Sequence, residues 1–114
     1  MKSLVWCRFG RQKMHKQTKA TSISKSVKCA VYERDGYRCI ICESSQGQPN
    51  AHYIARSQGG LGIEENIVTL CPSCHREYDQ SDKRATYKAF IRNYLMKKYP
   101  AWDENKLIYR KWRF

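Results

Sequence analysis

The sequence predicts a small α+β domain folded around a metal ion, and three observations carry that reading. Two cysteine pairs, Cys39-x2-Cys42 and Cys71-x2-Cys74, stand with 28 residues between them in a chain of 114. Each pair has the spacing of a tight knuckle that aims two sulfurs at one ion, and four thiolates suit tetrahedral zinc. Short apolar stretches separated by turn residues lie between the pairs, as strands would. Beyond them, Tyr87, Phe90, Ile91, Tyr94 and Leu95 recur at the spacing of one helical face.

The elements follow in order. Residues 1–24 form a basic arm with little periodicity, anchored at most by Leu4, Val5, Trp6 and Phe9, and are expected to be partly disordered when free. Ser24 or Ser26 caps a short helix through Arg34, with Val27, Ala30 and Val31 on one face and Asp35-Gly36 at its end. Glu43 to Asn50 reads as a polar turn because it holds Gly47 and Pro49; Ala51 to Ala55 is then a strand bearing His52. Three glycines loosen the loop from Ser57 to Gly62, and Ile63 to Leu70 returns to the second knuckle. Pro72 suits the first turn of a helix from Cys71 to about Tyr78. The helix carrying the apolar stripe stops at Pro100, and Asp103 caps a last short helix with Leu107, Ile108 and Trp112. Domain boundaries follow at 1–24, 25–80 and 81–114, the last a helical extension that packs on the centre or mediates association.

Charge is distributed unevenly. The net charge is +12, yet residues 39–96 carry six basic and six acidic side chains, while residues 1–38 carry ten and two and residues 97–114 carry six and two. Basic arms around a neutral centre are suited to a polyanion, and nucleic acid is the expected partner. No run approaches the roughly 18 apolar residues of a membrane span, and the arm has no continuous apolar face for a bilayer surface. No apolar signal segment precedes the basic amino terminus, so the cysteines are read as zinc ligands in the cytoplasm rather than as disulfides. Cys7 and Cys29 fall outside the paired spacing and are read as ordinary small residues.

A closed four-thiolate zinc cannot activate water, so catalysis needs a second site. Cys39-x2-Cys42, Ala51-His52-Tyr53-Ile54, Arg56-Ser57-Gln58-Gly59-Gly60, Glu65-Asn66-Ile67-Val68-Thr69-Leu70-Cys71 and Cys74-His75 together resemble an HNH endonuclease over about residues 28–79. The whole chain is similar to the small HNH proteins of phages and prophages. That resemblance implies a ββα-metal unit, treble-clef-like, braced by the four-cysteine zinc. It also implies a metal-dependent nuclease that hydrolyses DNA phosphodiester bonds, by nicking or by double-strand cleavage.

Carried over by position, His52 is the general base, Asn66 the residue that ties the loop to the strand, and His75 a ligand of the catalytic metal. Arg56 is placed to clamp the scissile phosphate. Ala51 departs from the family pattern, where Asp or His often supplies the second ligand. Asp79, four residues after His75 and so on the same helical face, is read as its replacement. Ala55 likewise replaces a proline frequent in the family. The ion implied is Mg²⁺, with Mn²⁺ or Ni²⁺ as substitutes. Lys13, Lys16, Lys19, Arg38 and Arg56 are expected to hold the DNA backbone without reading sequence. Ala51 also leaves open a catalytically degenerate zinc-ribbon DNA-binding or packaging adaptor. The phage resemblance implies terminase and portal components as candidate partners and a bacterial host cytoplasm as the setting; monomer and homodimer both remain open.

Overall fold

The structure is a computed structural model that describes residues 16–109, with side chains described from residue 19. Among these residues the order is α1 (Lys16–Thr21), α2 (Lys25–Arg34), β1 (Gln48–His52), β2 (Ile67–Leu70), α3 (Pro72–Gln80) and α4 (Arg84–Lys98). Single 3₁₀ turns occupy Arg56–Gln58, Glu64–Asn66 and Glu104–Leu107.

Ser24 starts α2 as the sequence predicts, its hydroxyl accepting from the Val27 N–H at 3.2 Å. Gly36, at φ 72°, ends it in the left-handed conformation that glycine adopts without a Cβ penalty. The last turn does more than stop the helix. Asp35 accepts the Thr69 N–H at 2.9 Å and the Tyr94 hydroxyl at 2.6 Å, while Arg34 donates to the carbonyls of Glu64 and Ile67 at 2.9 and 2.8 Å. One of the ten basic residues of the first third is therefore spent inside the fold. Cys29, midway along this helix, is disulfide-bonded, a role its spacing does not signal.

β1 and β2 pair antiparallel, with Ala51 opposite Val68 and His52 opposite Ile67. The strand predicted at Ala51 to Ala55 is displaced: it begins at Gln48, inside the predicted turn, and ends at His52. Pro49 explains the difference, because the register is irregular between Gln48 and Ala51 and a proline, which has no N–H, is tolerated at such a bulge. Past His52 the ladder passes to a side chain. Tyr53 N–H still reaches the Asn66 carbonyl at 2.7 Å, but Ile54 N–H is taken by Asn66 Oδ1 at 2.8 Å.

Pro72 occupies the first turn of α3, whose N-cap is Cys71, and this helix runs to Gln80. α4 packs against α3, and its Ile91 and Leu95 join Ala51, Tyr53, Val68, Leu70 and Tyr78 in the core. Phe90, predicted in the buried stripe, is instead 45% exposed at the edge of that face. The helix stops at Lys98, ahead of Tyr99-Pro100. The final helix predicted from Asp103 is a single 3₁₀ turn that Asp103 caps through the Asn105 N–H at 2.9 Å. Its Leu107 carbonyl accepts Leu61 N–H at 2.7 Å, so the tail braces the glycine loop.

Of the basic arm, residues 1–15 lie outside the described residues and Lys16–Thr21 is helical. The ββα arrangement implied by the resemblance is present as β1, β2 and α3. Among the described residues no helix is long and apolar enough to cross a membrane. Lys13 and Trp112 lie outside the described residues, as does the side chain of Lys16.

Candidate active site and metal centre

Two centres flank the ββα unit. At the first, the ligand atoms of Cys39, Cys42, Cys71 and Cys74 all lie within 4.8 Å of one another, with Cys42 Sγ 3.5 Å from Cys71 Sγ. A tetrahedral zinc with sulfurs about 2.3 Å away holds them roughly 3.8 Å apart, so the donor set fits. The knuckles are preformed by backbone donors: Cys42 N–H points at Cys39 Sγ at 3.5 Å and Cys74 N–H at Cys71 Sγ at 3.4 Å. Burial, followed by the Cys71, Cys42 and Cys39 sulfurs, pushes the Cys74 thiol well above the ordinary thiol range. Four crowded thiols cannot all ionise alone, and a cation removes that conflict.

The second centre is a cleft of about 200 Å³ between the end of β1, the turn after it, α3 and the start of α4. His52, Arg56, His75 and Asp79 all line it. His52 Nε2 lies 2.9 Å from the Thr21 carbonyl. A carbonyl can only accept, so Nε2 carries the proton and the neutral ring keeps its lone pair on Nδ1. Burial lowers the pKa of His52 below its ordinary 6.5; the Thr21 carbonyl opposes this, and the charges of Arg56 and His75 reinforce it.

The Thr21 carbonyl is held in place by a close crossing. Gly62 N–H donates to the Ala20 carbonyl at 2.9 Å, and a Cβ on Gly62 would sit 2.1 Å from the Ser22 carbonyl oxygen. The same short segment holds Arg56, which donates to Thr21 Oγ1 at 3.4 Å and Ser22 Oγ at 3.2 Å.

On the opposite wall, His75 Nε2 and Asp79 Oδ2 lie 3.4 Å apart across one turn of α3. An imidazole nitrogen and a carboxylate oxygen this close, on a face open to the cleft, form a donor pair that fits one divalent cation. Asn66 lies outside the cleft wall. It is fully buried, and its amide also donates to the Ile54 and Leu61 carbonyls at 3.2 and 2.8 Å, fixing the chain that carries His52 and Arg56.

Ala51 is fully buried and faces the core. The side chain that shares the cleft-facing side of β1 with His52 is Asn50, two residues earlier. The sequence predicts a turn at Asn50; the period of two from His52 is the signal that points to the strand face instead. Arg84, from the first turn of α4, also lines the cleft, and no local pattern announces it. Arg38 is exposed on the first cysteine knuckle, where it donates to the Glu43 carbonyl at 3.3 Å, and does not join the cleft. Lys19 is exposed two residues from Thr21.

The cleft thus brings together a histidine with one ring nitrogen hydrogen-bonded, an imidazole–carboxylate pair and two arginines. The HNH endonuclease family matches residues 39–81, which include Arg56, Asn66, His75 and Asp79. Over 57 residues the chain is 33% identical to Anaredoxin of Nostoc sp. strain PCC 7120, covering 49% of this chain and 75% of that protein. The chain belongs to the HNH endonuclease family.

Proposed function

We propose that this protein is a metal-dependent endonuclease that hydrolyses DNA phosphodiester bonds with low sequence specificity. The observation that carries the reading is the tethering of His52 Nε2 to the Thr21 carbonyl in a cleft that also holds His75, Asp79 and Arg56. His52 Nδ1 takes a proton from water as it attacks the phosphorus. Arg56, its guanidinium braced by Thr21 and Ser22, binds the non-bridging oxygens and stabilises the added charge of the transition state. His75 and Asp79 would hold one Mg²⁺, for which Mn²⁺ or Ni²⁺ could substitute, and the Asn50 carboxamide would offer a neutral oxygen from the strand wall. When bound, that ion supplies Lewis-acid stabilisation to the phosphate and the departing 3′ oxygen. Lys16 and Lys19, with Lys13 before them, would steer the backbone toward the cleft without reading bases.

Ala51 motivates the rival reading, a DNA-binding adaptor without catalysis. Its side chain faces the core, so the missing carboxylate or imidazole at this position removes nothing from the cleft wall. Purified protein incubated with supercoiled plasmid and Mg²⁺ or Mn²⁺ should nick it, and chelator should stop the reaction. His52→Ala and His75→Ala should each reduce nicking at least 100-fold on the order expected for a lost general base or ligand. Nicking undiminished in His52→Ala would remove the assigned base; salt-sensitive binding without cleavage under any divalent ion would favour the adaptor.

A further inference from the structure

We propose that Arg84 is a second phosphate-binding residue, contacting a DNA backbone phosphate beside the scissile one. This rests on the reading of the cleft as a DNA site but not on cleavage.

Arg84 enters the cleft from α4, an element outside the matched family segment, whereas Arg56 lines it from the turn after β1. Its guanidinium is aimed by two contacts with one residue: Nη1 donates to the Tyr78 carbonyl at 3.1 Å, and the group stands over the Tyr78 ring, 4.8 Å from its centroid. Tyr78 is itself immobilised, buried in the core with its hydroxyl on the Tyr53 carbonyl at 2.7 Å. The guanidinium is therefore mounted on a rigid platform, and one contact to a carbonyl leaves most of its five N–H donors for another acceptor.

What it lacks is an anion. Arg34 and Arg92 pair with Asp35 and Glu104, at 2.7 and 3.4 Å, whereas no carboxylate among the described residues lies within 4.0 Å of Arg84. The one carboxylate lining the cleft, Asp79, stands against His75. A half-buried, ring-stacked arginine without a counter-charge suits planar recognition of a phosphate. Its mount on Tyr78, the residue before Asp79, puts it on the helix side of the proposed ion site. Arg56 holds the strand side, so the two cations suit successive phosphates of one strand.

The test uses the full chain and a short DNA duplex, with chelator for the catalytic ion present so that binding is read without cleavage. Arg84→Gln removes the charge and leaves a neutral amide on a shorter side chain. It should weaken binding on the order of tenfold and make the slope of log affinity against log salt shallower by about 0.9, the contribution of one phosphate contact. Arg84→Lys should keep the slope, and Arg92→Gln, which removes a charge elsewhere on the same helix, should leave it unchanged. An unaltered slope in Arg84→Gln, or an equal loss in Arg92→Gln, overturns the proposal. Wild-type protein provides a reading independent of variant folding: the duplex should protect Arg84 from phenylglyoxal more than Arg92, and equal labelling overturns it. Failure of plasmid nicking with these binding results intact would count against the nuclease reading alone.

Discussion

At the scale of single residues, the proposed mechanism rests on His52 as its base, and the environment of that side chain predicts a pH dependence. The base must be neutral, and burial, with Arg56 and His75 behind it, lowers its pKa from 6.5 despite the opposing Thr21 carbonyl. The sign follows: as pH falls through a value below 6.5, His52 gains a proton and activity is lost, while between that value and neutrality activity is flat. Cleavage rates at saturating metal should trace one acidic limb below 6.5, and Arg56→Gln should move that limb upward while lowering the rate. A wild-type limb above 6.5 would mean another group is titrating. The residues of this site divide by how they could be read. The HNH resemblance points to His52, Asn66 and His75, and the four-residue helical spacing from His75 points to Asp79; the structure brings His52, His75 and Asp79 to one cleft. Asn50 was hidden by Pro49, which made its strand look like a turn. Arg84 was invisible because only the packing of α4 on α3 brings it to the cleft.

At the scale of elements, the segment after α1 is the part whose role changed most between sequence and structure. Its six residues, KQTKAT in α1, offer no apolar stripe, and local pattern therefore had nothing to register. Yet the turn that follows crosses Gly62 at a distance only glycine permits and delivers the Thr21 carbonyl to His52. Gly62→Ala tests this arrangement. Its Cβ would meet the Ser22 carbonyl at 2.1 Å, so the segment must shift, releasing His52 Nε2 and the hydroxyls that hold Arg56. Cleavage should fall by roughly 10- to 100-fold, the scale of a misplaced catalytic group, with the ββα unit still folded. Full activity in this variant, with circular dichroism unchanged, would show that the carbonyl is dispensable. α2, α3 and α4 were legible to within a few residues because caps, Pro72 and a repeating apolar face mark them. β1 was not, since a bulge absorbed the residue that ordinarily breaks a strand.

At the scale of the whole molecule, the cysteine centre and the proposed His75–Asp79 ion site should separate by what loss of the ion does. Among the described residues the sheet has two strands and the buried apolar residues make a small core, whose packing a structural metal would supplement. The cysteine centre joins the knuckle after α2 to the start of α3, and so ties together the halves of the chain that meet in the cleft. With the ion gone, Cys74 is protonated, the four sulfurs lose their common partner, and Cys39, Cys71 and Cys74 are left buried around an empty centre. Structural zinc sites of this kind contribute on the order of 10 kcal/mol to folding, more than a domain of this size has in reserve. The His75–Asp79 pair lies on one helix and crosses no such gap, so losing its ion should abolish cleavage and leave the fold intact. A weak chelator selective for hard cations should therefore stop nicking with no change in the circular dichroism or tryptophan emission of the protein. A strong thiophilic chelator should abolish the cooperative thermal transition itself, and added Zn²⁺, but not Mg²⁺, should restore it. Retention of a sharp transition after complete zinc removal would mean that the helices, through Ile91 and Leu95 against Tyr78, suffice to hold the cleft together without the cysteine centre.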